Sequence, residues 1–201
     1  MAESRTARRP GTRAAETAQR RRRLLAAATE LAAEGGYDAV QMRDVAARAE
    51  VALGTLYRHY SSKDQLLLAA LAEQAATLRD RLHNRPPRGA TPADRVADAL
   101  RRACRALERE PRVIAAMMTA MSAPEDEAVT LKRDVDETLR AIISSAIDGH
   151  GGDAAAGIDD VVRVLGSVWF AGLSFWVNGI ADAARMADDL DCAVHLLLGN
   201  A

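Results

Sequence analysis

The segment of residues 35–63 constrains the fold of this chain most, because it contains two short amphipathic stretches separated by a tight break. The apolar residues of the first stretch recur at three- and four-residue spacing, which predicts one buried helical face made of Val45, Ala46 and Ala49. The break follows at residues 50–52, where the apolar Val51 is expected to fill the core between two helices. In the second stretch Leu56 and Tyr60 are four residues apart and are expected to face inward.

The outer face of the second stretch carries a hydroxyl, a phenol, a guanidinium and an imidazole within about two helical turns. Such a helix suits the major groove of DNA, flanked by groups that hold phosphates. We expect contacts to the DNA backbone from Thr55, Tyr57, His59 and Lys63. We expect contacts to base edges from Arg43, Leu53 and Arg58. The predicted DNA-binding set is completed by Gln41 and Arg20. At least one arginine of the run at 20–23 should meet a phosphate, and spacing alone does not choose which.

Lys63 follows a helix-start signal, since Ser61 or Ser62 can cap a helix in whose first turn Lys63 would lie. The helix dipole disfavours a cation at that position. A phosphate arriving at the helix N-terminus would remove the conflict. A solvated surface lysine is an equally good interpretation of the residue alone, and its neighbours Tyr57 and His59 favour the phosphate.

Several short motifs in this region resemble the DNA-binding domain of TetR-family repressors, over about residues 20–71: Gly35-Gly36-Tyr37, Asp44-Val45-Ala46, Val51-Ala52-x-Gly54-Thr55-Leu56-Tyr57-x-His59-Tyr60 and Ser62-Lys63. Many members of that family have a threonine-type cap before the second helix, where this chain has Gln41. The sequence also resembles one subgroup of the family, the actinobacterial repressors of cholesterol catabolism. This narrower resemblance is carried by residues 39–43, 51–58, 168–169, Trp176 and residues 190–197.

Charge is distributed unevenly along a chain whose net charge is −1. Residues 1–63 hold 12 Lys and Arg against 7 Asp and Glu, so the N-terminal third is basic and the remainder acidic. This asymmetry favours a DNA-binding module joined to a domain that does not bind DNA, although an arginine-rich tail can produce it by chance. Cys104 and Cys192 are far apart and indicate a reducing cytosol. No signal peptide or apolar run of about 20 residues is evident, which predicts a cytoplasmic protein without a membrane span.

The abundance of Ala and Leu and the absence of alternating β-branched runs predict an all-α fold. We expect a disordered basic arm at 1–16, a helix-turn-helix DNA-binding domain at 17–64 and a helical ligand-binding and dimerisation domain at 65–201. The predicted helices cover 17–34, 42–49, a second stretch from 53, 63–83, 91–110, 111–121, a helix from about 125 to 148, 158–180 and 186–198. A flexible link is expected at 149–152.

The predicted helix at 158–180 is apolar nearly all round, which indicates burial on several sides. One of those sides could face a second copy of the chain, together with the last helix. Gly166 and Gly172 would permit close helix approach, either between copies or within one chain. The TetR resemblance implies such a homodimer, bound to a palindromic operator.

A cluster of methionines in the second half is ambiguous, because a methionine stripe is more often plain core than a binding site. With neighbouring large side chains it would form a deformable apolar lining for a hydrophobic ligand. The predicted ligand-binding residues are Leu100, Cys104, Met117, Met118, Met121, Trp169, Leu173 and Trp176. The resemblance implies an inducer pocket here and, for the cholesterol subgroup, a CoA thioester derived from a sterol.

No catalytic or metal-binding pattern stands out, and we expect neither a cofactor nor a metal. The four histidines are dispersed without metal-ligand spacing. The acidic pairs at 159–160 and 188–189 suit helix starts better than catalysis. The expected protein is therefore a repressor released by a small hydrophobic molecule. The alternatives are a TetR-type regulator of drug efflux or fatty-acid metabolism, an architectural DNA-binding protein without an inducer, and a small helical enzyme.

Overall fold

The computed structural model describes residues 10–124, 129–148 and 158–199, with side chains from residue 14 onward. In these ranges the backbone forms nine α-helices and no strand, which confirms the all-α prediction. The helices are α1 (Pro10–Ala39), α2 (Met42–Arg48), α3 (Leu53–Tyr57), α4 (Lys63–Asn84), α5 (Pro92–Leu107), α6 (Pro111–Ser122), α7 (Val129–Asp148), α8 (Ile158–Val177) and α9 (Ala183–Leu198). The predicted link at 149–152 lies outside the described residues.

Helix α1 begins at Pro10, earlier than the predicted start at Thr17. Residues 10–16 are therefore helical, whereas we expected a disordered arm; residues 1–9 of that arm lie outside the described ranges. Proline suits a first helical position because its fixed φ matches the helix and its missing N–H has no intrahelical partner there. Gly35 and Gly36 interrupt α1 as expected, and Gly36 has φ 72° and ψ −157°, a region open mainly to glycine.

Helices α2 and α3 form the predicted helix-turn-helix. The turn contains Glu50 at φ 53°, and Val51 packs against the core between the helices. Leu56 and Tyr60 are buried as expected. Helix α3 has only five residues and ends at Tyr57, so the exposed Arg58 and His59 follow its last turn.

Side-chain caps set three helix starts. Thr91 and Asp94 form the capping box of α5, and Ser62 Oγ accepts a hydrogen bond from the Gln65 backbone N–H at 3.2 Å. Asp182 accepts from the Arg185 backbone N–H at 2.8 Å, which starts α9 before the predicted Met186. Each cap satisfies an amide that the helix leaves without a partner.

The hydrophobic core has two clusters, and neither follows the predicted boundary between residues 64 and 65. The first contains buried residues of α1, α2, α3, α4 and α6, so the helix-turn-helix shares its core with α6. The second joins Leu82 of α4 to α5, α7, α8 and α9. Helix α6, which carries the methionine cluster, thus packs against α1 and α4, which carry the predicted DNA contacts Arg20 and Lys63.

Helix α8 is the least buried of the apolar helices. Among the described helices it alone is long and apolar enough to cross a membrane by length and composition, a test that core helices of soluble proteins also pass. Of its 20 residues, only Val162, Leu165 and Trp169 are buried within the described part of the chain. Phe175 is 48% exposed, and Leu196 of the adjacent α9 is 73% exposed. This apolar surface has no cover among the described residues of one chain.

The two glycines of α8 differ in their surroundings. A Cβ on Gly172 would lie 2.8 Å from Met186 Cγ of α9, whereas a Cβ on Gly166 would meet nothing within 4 Å. Met186 is 1% exposed and has little room to move. Close approach within one chain therefore explains Gly172.

We expect Gly172→Ala to destabilise the protein by about 1–3 kcal/mol, because the added methyl overpacks the α8–α9 contact. The matched Gly166→Ala should stabilise it by up to about 1 kcal/mol through helix propensity. Urea unfolding followed by circular dichroism measures both. Equal stabilisation by the two substitutions would contradict the role of the Gly172–Met186 contact.

Candidate DNA interface and ligand cavity

The surface around α3 carries most of the predicted DNA-binding side chains. Tyr57 is 51% exposed, and Arg58 and His59 are also exposed. Leu53 and Thr55 are partly buried at the start of the helix. Arg58 Nη2 donates a hydrogen bond to Thr55 Oγ1 at 2.9 Å, which holds the guanidinium along the helix. All five residues lie between positions 53 and 59.

Helix α2 contributes Arg43, which is exposed and has no ion-pair partner in the described part of the chain. Gln41 stands at the N-cap of α2 but makes no capping hydrogen bond. Its Nε2 instead donates to the Asp38 carbonyl oxygen at 2.9 Å, and its side chain stays exposed. Both side chains remain accessible next to α3.

The four consecutive arginines of α1, at residues 20–23, differ in whether they form ion pairs. Arg21 lies 3.5 Å from a Glu73 carboxylate oxygen, and Arg23 lies 3.8 Å from one of Glu50. Arg20, the predicted DNA contact, is partly buried, and Arg22 is exposed. In the described structure neither of these two forms an ion pair, so they are the better candidates for a phosphate.

Lys63 lies in the first turn of α4, as predicted, and contacts Tyr37. Its Nζ is 3.7 Å from the centroid of the Tyr37 ring and donates to the Tyr37 carbonyl oxygen at 3.4 Å. The Tyr37 hydroxyl donates to Asp64 Oδ1 at 2.7 Å, and Asp64 is buried. Sequence reasoning gave no role to the Tyr37–Asp64 pair, because 27 residues separate the partners and neither spacing nor composition connects them.

A cavity of about 1030 Å³ lies between α4, α5, α6, α7 and α8. Its wall includes five of the eight predicted ligand-binding residues, namely Met117, Met118, Met121, Trp169 and Leu173. Further apolar wall residues are Leu78 of α4, Leu107 of α5, Leu139 of α7 and Phe170 of α8. The volume matches the upper range of sites for small molecules.

The other three predicted ligand-binding residues lie outside this wall. Leu100 and Cys104 are buried in the second core cluster, because α5 presents Ala103, Ala106 and Leu107 to the cavity instead. Trp176 packs against the first core cluster. Burial raises the pKa of the Cys104 thiol to about 11, so it stays protonated and unreactive at neutral pH.

Charged side chains also line the cavity. The cations are Arg81, Arg109, Lys132, Arg140 and Arg163, and the anions are Glu73, Glu110 and Asp136. Arg140 pairs with Asp159 at 2.6 Å, and Arg163 pairs with Asp160 at 2.9 Å. Among the described residues Arg81 and Arg109 have no ion-pair partner. An apolar interior with unpaired arginines suits a ligand that has an apolar body and an anionic group.

A polar contact joins α6 to the helix-turn-helix beyond the shared core. Arg112 Nη1 donates to the Glu34 carbonyl oxygen at 2.9 Å, where α1 is interrupted. The Glu34 carboxylate accepts two hydrogen bonds from Arg48 of α2, at 2.6 and 3.1 Å. These bonds lower the pKa of Glu34, so the carboxylate is charged at neutral pH. Glu34 thus connects three helices.

Two family models match the chain. The one described as bacterial regulatory proteins, tetR family, matches residues 24–70, which contain the helix-turn-helix. The one described as tetracyclin repressor-like, C-terminal domain, matches residues 89–197, which contain most of the cavity wall. The chain belongs to the TetR family.

Among TetR-family proteins, the chain is similar to the transcriptional repressor KstR of two organisms. It is 36% identical to that of Rhodococcus jostii over 90% of this chain and 84% of the relative. It is 34% identical to that of Mycobacterium tuberculosis over 90% of this chain and 82% of the relative. These relatives confirm the prediction of a DNA-binding transcriptional repressor of the TetR family and not an enzyme.

Solved structures of TetR-family regulators share the fold. A TetR transcriptional regulator from Rhodococcus sp. RHA1 superposes with a TM-score of 0.83 at 32% identity, over 92% of this chain and 98% of the other. Thermus thermophilus FadR in complex with lauroyl-CoA gives 0.69 at 22% identity, over 88% of this chain and 92% of the other. Bacillus subtilis FadR in complex with stearoyl-CoA gives 0.64 at 17%, over 86% and 96%.

Proposed function

We propose that this TetR-family repressor is a homodimer that binds a palindromic operator through α2 and α3 and is released by a CoA thioester with a bulky apolar acyl group, of the sterol-derived class. The observation that carries the proposal is the cavity of about 1030 Å³, whose wall combines apolar side chains with two arginines that have no ion-pair partner among the described residues. The functional division at residue 64 remains our proposal, with DNA binding before it and ligand binding and dimerisation after it.

At the DNA, the residues divide by chemistry. Thr55, Tyr57, His59 and Lys63 bind the sugar-phosphate backbone, as does Arg20. Arg43, Leu53 and Arg58 contact base edges, because guanidinium groups pair bidentately with guanine and a leucine suits a thymine methyl. Gln41 stands beside them on α2. In a dimer the two α3 helices would read half-sites about 34–36 Å apart.

In the cavity, Met117, Met118, Met121, Trp169 and Leu173 bind the apolar body of the ligand. Flexible methionines adapt to an irregular rigid shape such as a steroid nucleus. Arg81 and Arg109 bind the phosphates of the CoA moiety, because guanidinium groups match phosphate oxygens. Leu100, Cys104 and Trp176 are not assigned to ligand contact.

The acyl group has a second candidate. Similarity to KstR and the volume of the cavity favour a sterol-derived group, whereas the FadR complexes contain the straight chains of lauroyl-CoA and stearoyl-CoA. A fatty acyl-CoA is therefore the runner-up ligand. The two classes share the CoA moiety and differ in the bulk of the acyl group. The part of the cavity lined by Met117, Met118 and Met121 must accommodate that group.

The ligand acts through helices that reach both sites. Helix α6 contributes Met117, Met118 and Met121 to the cavity and packs in one core with α1, while α4 carries Lys63 at one end and wall residues further along. To weaken operator affinity a hundredfold, the ligand must favour the released conformation by about 2.7 kcal/mol, and DNA must weaken ligand binding equally. A steroid nucleus that is buried only in the released conformation would supply this difference, at roughly 25 cal/mol per Å² of apolar surface.

The exposed apolar faces of α8 and α9 form the dimer contact. Val168 and Phe175 of α8 and Leu196 of α9 are accessible in one chain, which leaves apolar surface in water. Pairing of two helices from each copy would bury it as a four-helix seam. A seam of this kind also explains the apolarity of α8 in a protein that acts in the cytoplasm.

We expect Arg43→Ala to reduce sequence discrimination by about 1–3 kcal/mol, because a bidentate base contact is lost. Binding is measured by fluorescence anisotropy on a duplex that the wild-type chain enriches from a randomised library, against a scrambled duplex. Arg133→Ala on α7 removes the same charge from an exposed site and should leave the ratio unchanged. Equal weakening on both duplexes by Arg43→Ala would assign Arg43 to the backbone.

We expect Met121→Trp to blunt release from DNA, because the indole fills part of the cavity. The probes are a bile-acid CoA thioester and lauroyl-CoA, read by displacement of the enriched duplex and by the shift in melting temperature. Thr119→Trp places the same side chain on the exposed side of α6 and is the control. If neither thioester shifts melting or displaces DNA, the CoA ligand is wrong while DNA binding stands; displacement by lauroyl-CoA alone favours the runner-up.

We expect Phe175→Glu to give monomers, because a carboxylate at the centre of an apolar seam cannot be desolvated without a partner. Sedimentation equilibrium measures the mass. Ser145→Glu adds the same charge at an exposed position of α7 and should remain dimeric. A Phe175→Glu protein that dimerises as tightly as the wild type would remove α8 from the interface.

A further inference from the structure

The segment that follows the interruption of α1 contacts the N-terminus of α4. Gly36 has φ 72° and ψ −157°, so the chain turns there in a way that other residues rarely adopt. Tyr37 follows and makes three contacts with two successive residues of α4. Its hydroxyl donates to Asp64 at 2.7 Å, its ring lies 3.7 Å from Lys63 Nζ, and its carbonyl oxygen accepts from that Nζ at 3.4 Å.

These contacts fix the position of the Lys63 ammonium. The Asp64 bond holds the tyrosine ring at the start of the helix, and the ring face attracts the cation. An ammonium has three N–H donors, of which one points to the Tyr37 carbonyl and one faces the ring. The third N–H has no hydrogen-bond partner among the described residues, and it is the donor that we assign to an incoming anion. A free lysine side chain would have to be ordered when it binds, whereas this one is already held.

We propose that Tyr37 is a positioning residue for DNA binding, which holds Lys63 ready for a backbone phosphate. The inference rests on the proposed contact between Lys63 and the DNA backbone. It adds Tyr37 and Asp64 to the residues on which operator affinity depends, although neither side chain needs to touch DNA. The effect of Tyr37 on DNA affinity is therefore transmitted through Lys63.

The test is a double-mutant cycle of Tyr37→Leu and Lys63→Met, with Tyr37→Phe as the conservative variant. Affinity is measured by fluorescence anisotropy on the duplex enriched by the wild-type chain, over a series of KCl concentrations. Lys63→Met should weaken binding and reduce the slope of log K against log salt by about 1, since one phosphate contact is lost. Tyr37→Leu should weaken binding about three- to tenfold, because the cation–π contact and the fixed carbonyl are disturbed.

Two results separate positioning from general support of the fold. Tyr37→Leu should have no further effect in the Lys63→Met background, because it acts through the lysine. Tyr37→Phe should keep most of the affinity, because the ring stays under the ammonium, while its melting temperature falls with loss of the Asp64 bond. If Tyr37→Leu does not fold at the assay temperature, Tyr37→Met replaces it with an unbranched apolar side chain.

The outcomes are distinguishable. Additive losses in the double variant, or unchanged or tighter binding by Tyr37→Leu alone, overturn the positioning role and leave the phosphate contact of Lys63 intact. Unchanged affinity and salt slope in Lys63→Met overturn the phosphate contact and the positioning role together. Loss of affinity in Tyr37→Phe equal to that in Tyr37→Leu assigns Tyr37 to support of the fold through Asp64 and also overturns the inference.

Discussion

The packing of α6 against α1 in one hydrophobic core is the constraint on which the rest of this structure depends. Leu24, Ala28 and Ala32 of α1 are buried in the same cluster as Ala116 and Met117 of α6. Small alanine side chains let the two helices approach closely, and close-packed interiors transmit displacement because they contain few voids. A molecule that moves Met117 or Met118 therefore acts on the helix from which the helix-turn-helix extends.

Polar contacts also connect α6 and α4 to the region of the helix-turn-helix, and a displacement at the cavity would be transmitted through them. Arg112 at the start of α6 binds the carbonyl of Glu34, and Arg48 of α2 binds its carboxylate. Helix α4 makes the second connection, with Lys63 and Asp64 held by Tyr37 at one end and Leu71 to Arg81 along the cavity. A helix of 22 residues spans about 33 Å, so a small tilt at the cavity becomes a larger shift at its N-terminus. Both connections end within a few residues of the interruption at Gly35 and Gly36.

Local signals account for what the sequence predicts well. The spacing of Val45, Ala46, Leu56 and Tyr60 predicts the helix-turn-helix, and Thr91 with Asp94 marks the start of α5. Contacts between distant residues were not predictable in the same way. Leu100 and Cys104 have the apolar character expected of a cavity wall, but the rotation of α5 turns them into the second core cluster. Nor does spacing indicate that Gly172 lies against Met186, or that Arg112 meets Glu34, since such pairs depend on how whole helices pack. The helical start of α1 at Pro10 shows that an arginine-rich composition alone does not predict disorder.

Helix α8 links the proposed ligand site to the proposed dimer contact. Trp169 and Phe170 line the cavity, and Phe170 is 46% exposed, while Phe175 lies a turn and a half further along with a similar exposure. Residues five apart on a helix point about 140° from each other, so the helix presents one apolar surface to the ligand and another away from it. Rotation of α8 about its axis to admit a ligand would therefore also turn Phe175 and Val168. In a symmetric dimer both copies of α8 would rotate at the seam. Because α4 and α6 connect each α3 to the rest of its own chain, the separation of the two α3 helices would then change. A half-site spacing of about 34–36 Å tolerates little change before both contacts no longer fit.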